Sequence, residues 1–422
     1  MHKVNVNAFL LFISLILLVW IPAFQEWYYV LTLRANDLYF LRKSQLMKYK
    51  YAHNAKYNIG RHLKMASHTF AIDNNIDVKS FGLNSFKKQN ATFVMLARNS
   101  DLDDAVEAIK SLEARFNYRY HYDWTFFNDL PFDEEFLRRT SEVASGKTQY
   151  GLIPTEHWSV PSWINKTTMA NNMEIFDEED ILYGSSVSYR NMCRYNSGFF
   201  FRQELLKDYD YYMRVDPDVR YHCDFPYDPF EIMKLNNKRY GFVISLYEFG
   251  STIPTLWATV KRFIDQHSGL INKNNMLGFL TDKSDIGKNK FQAHFHDEYN
   301  LCHFWTNFEV ADLNFFRSQE YLKFFDFLDS TGGFFYERWG DAPVHTIAAS
   351  LLLDKDEIIH FEEIGYYHIP LYQCPKSNAF YTSHSCSCPR NGSYNIMNSE
   401  SSCLTRYWKH NGKTFIKDPG YF

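Results

Sequence analysis

The stretch Tyr211-Tyr-Met-Arg-Val-Asp-Pro-Asp-Val219 decides how this chain is read. The aromatic and apolar run Tyr209 to Val215 suits a buried strand, and Pro217, with its fixed φ and no N–H to donate, ends the pairing. Asp216 and Asp218 therefore stand at the carboxyl end of a strand. In open α/β sheets ligands bind beyond that edge, and two hard oxygen donors there suit Mg²⁺ or Mn²⁺ held against a diphosphate. The same letters also make a plain turn with two solvated aspartates, because Asp and Pro are ordinary turn formers. Arg214 alternates with Tyr212 and Asp216 and shares their side of the strand. It is placed either to neutralise a diphosphate or to partner a buried Asp.

Upstream, Ala91-Thr-Phe-Val-Met-Leu-Ala97 is a short apolar run that reads as another buried strand. Leu102, Val106, Ile109, Leu112 and Phe116 then recur at helical steps. Arg98 closes that strand, either as a grip on phosphate or base or as a surface ion pair. Further strands are expected at Tyr120 to Phe127, Gln149 to Ile153 and Arg239 to Leu246. Strands alternating with helical patterns predict an α/β fold with a mixed, mainly parallel sheet covered on both faces.

Downstream, Cys302-His-Phe-Trp-Thr-Asn-Phe-Glu309 sets a carboxylate after a dense aromatic stretch. An apolar cradle makes such a group poorly solvated and nucleophilic, whereas the helical pattern from Leu313 onward makes Glu309 an acid at a helix start. Phe334-Phe-Tyr-Glu-Arg-Trp-Gly-Asp-Ala-Pro-Val-His345 gathers an acid, a base and an indole ahead of a helix opened by Pro343. That combination suits a hydroxyl-rich ligand: Asp341 to accept from hydroxyls or to cap the helix, with Trp339 and Trp305 as faces for a sugar ring. His368, on a loop held by Pro370, is either structural or a metal ligand beside an Asp.

The 422 residues carry 45 basic and 49 acidic side chains, a net charge of -4 that argues against nucleic acid as a partner. Residues 8–24 are seventeen without a charge, followed by Trp27, Tyr28 and Tyr29. We read this as an uncleaved membrane anchor with an aromatic interface belt; its apolar core exceeds the h-region of a cleaved leader, usually about 7–15 residues. The expected order is a cytoplasmic tail (1–7), the anchor (8–24), a polar stem (25–85) and a lumenal domain (86–422). A lumenal setting makes Asn90, Asn165 and Asn391 usable glycosylation acceptors. It also makes the seven cysteines a set of disulfides with one thiol left over, in preference to a zinc site around His384, Cys386 and Cys388.

Taken together, Tyr189-Arg-Asn-Met-Cys-Arg-Tyr-Asn-Ser-Gly-Phe-Phe200, Arg214 to Val219, Asn307-Phe-Glu309, Tyr336 to His345 and Gly365-Tyr-Tyr-His368 resemble the fungal KTR family of α-1,2-mannosyltransferases, glycosyltransferase family 15. The motifs fall in order between Ala91 and Cys403. The resemblance implies a GT-A fold in a single-pass type II Golgi membrane protein. It also implies Mn²⁺ as cofactor, GDP-mannose as donor and a mannosylated glycoprotein as acceptor, with retention at the anomeric carbon. By the same resemblance Asp216 and His368 hold the metal, Glu309 is the nucleophile, and Tyr189 and Arg214 line the donor pocket. Arg98 and Asp218 are assigned to nucleotide contact, and Asp341, Trp305 and Trp339 to the sugars. One departure stands out: the family usually reads Glu-Pro-Asp where this chain has Asp216, shorter by one methylene.

Overall fold

The computed structural model describes residues 88–283, 298–376 and 378–412. The expected tail, anchor and stem lie outside them. Among these residues twelve strands run in chain order: β1 (Ala91–Leu96), β2 (Asp123–Asn128), β3 (Thr148–Leu152), β4 (Tyr211–Val215), β5 (Arg220–Tyr221) and β6 (Tyr240–Phe242), then β7 (Ser245–Tyr247), β8 (Cys302–Phe304), β9 (Phe308–Asp312), β10 (Ile358–His360), β11 (Tyr366–His368) and β12 (Leu371–Gln373).

Seven of them form one sheet in the order β10, β6, β9, β4, β1, β2, β3. All of its neighbours pair in parallel except β9, which runs antiparallel to both β4 and β6. β1 is buried along nearly its whole length, as a strand covered on both faces must be, so it reads as an unbroken apolar run. The helix that follows, α1 (Leu102–Arg115), buries Ala105, Ile109 and Leu112 at three- and four-residue steps.

After β3 the chain returns to place β4 on the other side of β1, so the strand order reverses between β1 and β4. Such a reversal opens a crevice beyond the carboxyl ends of the two strands. Asp216 follows β4 directly at that crevice. The expected strand at Arg239 to Leu246 is two strands: β6 belongs to the large sheet, whereas β7 pairs with β8 in a separate ribbon.

A three-stranded antiparallel sheet, β12, β11, β5, stands beside the crevice. Tyr366 and Tyr367 pair with Tyr221 and Arg220, so His368 lies one step past the ladder, on the side of Asp218. Helix α2 (Val187–Gly198) is capped by Ser186, α3 (Gln319–Asp329) by Ser318, and α4 (Asp341–Leu352) follows Gly340. Asp341 is thus the first helical residue, and Gly340 occupies the cap position. The closing helix α5 (Leu404–Asn411) is tied to β8 by the disulfide Cys302–Cys403. Cys223–Cys386 and Cys374–Cys388 fasten the same tail to β5 and β12, which excludes the zinc reading. Cys193, on α2, is the free cysteine; it is buried, and burial pushes its thiol up.

Candidate functional site

The side chains of β4 that face the crevice end in an ionic chain. Arg214 grips Asp216 with two bonds, Nε to Oδ1 at 2.8 Å and Nη2 to Oδ2 at 3.1 Å. Its third nitrogen, Nη1, donates to Asp341 Oδ2 at 2.5 Å, and the Thr306 hydroxyl donates to the same oxygen at 2.8 Å. Burial alone would lower the Arg214 pKa, but the Asp216 and Asp341 carboxylates outweigh it and hold the guanidinium charged. Burial likewise pushes Asp341 up, and Arg214 reverses that to leave it below the usual carboxylate range. Arg214 and Asp341 stay ionised because each supplies what the other's burial removes.

Across the crevice His368 Nε2 lies 3.3 Å from Asp218 Oδ2. The imidazole also stands edge-on to the Trp305 indole, ring centres 4.6 Å apart at 68°. Trp305 is the one partly exposed residue of the run 301–311, so the aromatic stretch shows a single face at the lip. Burial raises the Asp218 carboxyl against the pull of His368. Among the described residues no three or more His, Cys, Asp or Glu side chains are arranged to hold a metal ion. The protein alone presents Asp216, Asp218 and His368 around the lip as a partial donor set.

Glu309 sits in β9 opposite Arg214, with Phe242 of β6 on its other side. Its expected alternative, a helix start, is excluded by this pairing. The side chain is 0 % exposed. Three groups converge on it: the Tyr212 hydroxyl on Oε1, the Tyr240 hydroxyl on Oε2, and His345 Nδ1 at 2.8 Å from Oε2. His345 in turn sets Nε2 3.0 Å from the Asn196 carbonyl. Burial raises the Glu309 carboxyl, and the Glu309 charge, opposing burial, raises the His345 imidazole. A cavity of about 10 Å³, room for roughly one water, touches His345, Arg214, Tyr212 and Asn196.

Residues 40–412 match the family described as glycolipid 2-alpha-mannosyltransferase. The probable mannosyltransferase KTR2 of Saccharomyces cerevisiae is 50% identical over 384 residues, 90% of each chain. The alpha-1,2 mannosyltransferase KTR1 of the same yeast is 48% identical over 324 residues, 77% of this chain and 79% of that one. This chain belongs to that family. Among solved structures, core-mannan synthase A (CmsA/Ktr4) from Aspergillus fumigatus, crystallised in a Mn/GDP form, superposes with a TM-score of 0.73 at 40% identity. The match covers 78% of this chain and 87% of that one and fixes the GT-A-type architecture.

In this member of the mannosyltransferase family the remaining expected residues are distributed unevenly. Tyr189, half-buried on α2, stacks on Tyr183 with ring centres 4.5 Å apart and lies under the Arg338 guanidinium at 5.0 Å. Arg98 is exposed and pairs with Asp101 at 3.2 Å, the surface ion pair that was its alternative reading. Trp339 is a correction: it is 0 % exposed, its indole N–H donates to Glu337, and it presents no face to a sugar. It forms wall, packed edge-on against Phe334. Asn90, Asn165 and Asn391 are all exposed, although Asn165 also caps a helix by accepting from the Thr167 and Thr168 amides. The sequence reading assigned no role to His345, Tyr240 or Thr306. His345 had a signal, since it lies four residues after Asp341 and therefore on the same helical face.

Proposed function

We propose that this chain is a retaining α-1,2-mannosyltransferase that moves mannose from GDP-mannose onto mannose-terminated O- or N-linked glycans. The observation that carries the reading is the Asp216–Arg214–Asp341 chain at the reversal of strand order, in a chain whose relatives are named mannosyltransferases. The Mn/GDP form of the Aspergillus relative supports manganese as the ion.

The donor set fits such an ion: Asp216 would offer hard oxygens and His368 an imidazole, with the rest of the shell left to nucleotide phosphates and water. Each Asp216 oxygen accepts a single bond from Arg214, leaving a lone pair for a cation. When bound there, a divalent ion supplies charge stabilisation to a departing diphosphate. The chain's own groups do the rest. Arg214 holds Asp216 at the lip and keeps Asp341 ionised, and Asp341 takes both its bonds on Oδ2, leaving Oδ1 to accept from a sugar hydroxyl. Trp305 offers its exposed face to a ring. Glu309 places negative charge behind the crevice, and its three hydrogen bonds favour steadying an oxocarbenium-like cation over covalent attack, with the acceptor arriving on the donor's own face.

The setting we infer is the Golgi lumen, with residues 8–24 as a type II anchor. Three disulfides and three exposed glycosylation acceptors support an oxidising secretory compartment. The test is transfer from radiolabelled GDP-mannose, with Mn²⁺, to methyl α-mannoside, mannobiose and a trimmed N-glycan. Product sensitive to an α-1,2-mannosidase is expected. A product one phosphohexose heavier in mass analysis would make the chain a mannosylphosphate transferase, and no transfer to any acceptor would sink the reading.

A further inference from the structure

We propose that His345 is a positioning residue that holds Glu309 as an anion: the two form a buried imidazolium–carboxylate pair at the back of the crevice. This deepens the reading above and rests on Glu309 serving the reaction as a charge.

The argument begins with which nitrogen must carry hydrogen. His345 Nε2 faces the Asn196 carbonyl, which can only accept, so Nε2 is protonated. Nδ1 then either carries a second proton and donates to Glu309, or is bare and accepts from a protonated Glu309. The two tyrosines weigh on the choice. The Tyr212 and Tyr240 hydroxyls each point at a Glu309 oxygen. Either form of Glu309 can accept both hydroxyls, but a carboxylate is much the stronger acceptor, so two hydroxyls aimed at its two oxygens favour the charged form and with it a doubly protonated ring.

The wider surroundings agree. Tyr321 of α3 faces the imidazole with ring centres 6.2 Å apart, its hydroxyl committed to the Ser197 carbonyl. Asp341, on the same helix, adds negative charge that favours the imidazolium, and Arg214 of β4 spends its charge on Asp216 and Asp341. Phe200 and Phe316 close the remaining sides without charge. An isolated carboxylate so completely enclosed would take up a proton instead of staying charged. The imidazolium prevents this, and its Asn196 bond fixes the ring.

Two measurements on the full chain in detergent test the proposal. In ¹⁵N-histidine spectra, with His345→Asn for assignment, both His345 nitrogens should be protonated at pH 7 in the wild type. A neutral imidazole there overturns the proposal whatever the enzyme does, so this arm stands even if mannose transfer fails. In kinetics, His345→Asn should move the acid limb of kcat upward by about one to three pH units, the usual effect of losing an opposite charge at contact distance. Glu309→Gln should abolish most transfer, and adding His345→Asn to it should change kcat less than about twofold, because groups acting as a unit are not additive. An unmoved acid limb, or full additivity, would also overturn the proposal. Where His345→Asn does not fold, the wild-type spectrum decides.

Discussion

At Arg214 the structure shows one of the two roles that the sequence left open. The reading offered a partner for phosphate or a partner for a buried Asp, and the structure shows it joining two carboxylates, one at the lip and one behind it. Asp341 was unreachable by local reasoning because it lies 127 positions away. Arg214→Met should destabilise the fold by about 3–5 kcal/mol, since it leaves enclosed charges unpaired; urea unfolding against wild type measures it. Arg214→Lys should recover part of that stability and little of the turnover, because an ammonium cannot fork across both partners. Asp228 makes a separate, pH-linked prediction. It is buried, bonded to the Tyr122 hydroxyl at 2.6 Å, and its carboxyl is pushed up to about 7 by burial. The unfolded value is near 4, so the folded state binds the extra proton, and this group's contribution to stability is present below pH 4 and lost as pH rises toward 7. Asp228→Asn should therefore narrow the melting-temperature deficit that wild type accumulates between pH 5 and pH 7.5, read by calorimetry at both values.

Elements were legible where one local pattern had one outcome. β1, α1, β2 and β3 fall where apolar runs and helical steps put them, and the parallel sheet follows from their alternation. β9 was not legible. Its buried acid and the helical pattern just after it gave no sign that Phe308 to Asp312 would insert antiparallel between β4 and β6, because that order depends on partners more than sixty residues distant. β6 and β7 were merged for the opposite reason: an unbroken apolar run hides the point where a chain leaves one sheet for another. The β5–β11 pairing is equally non-local, and it brings His368 to Asp218. His368→Ala should weaken manganese-dependent GDP binding by about tenfold to a hundredfold, comparable to losses from disturbing a metal site's support. Titration calorimetry with and without Mn²⁺ measures it, and unchanged affinity would remove the imidazole from the ion's shell.

For the molecule as a whole, the presence of disulfides was readable from seven cysteines and an expected lumenal setting, whereas their pairing required the fold. Cys302–Cys403 spans 101 positions and Cys374–Cys388 only 14. In the loop-entropy picture the long closure contributes roughly 4.7 kcal/mol and the short one about 3. Paired Ser substitutions should therefore lower the melting temperature more at Cys302 and Cys403 than at Cys374 and Cys388. Equal losses would mean that strain or residual unfolded structure dominates.

The odd cysteine has a practical side. Cys193 is sealed on the buried face of α2, close to the wall behind Tyr189, and its sulfur stays in the unreactive form. A thiol-alkylating reagent can label it only when that helix lifts away, so the labelling rate clocks an opening around α2. Adding GDP with manganese should slow that clock if the nucleotide braces the helix, giving a readout of occupancy that needs no sugar transfer.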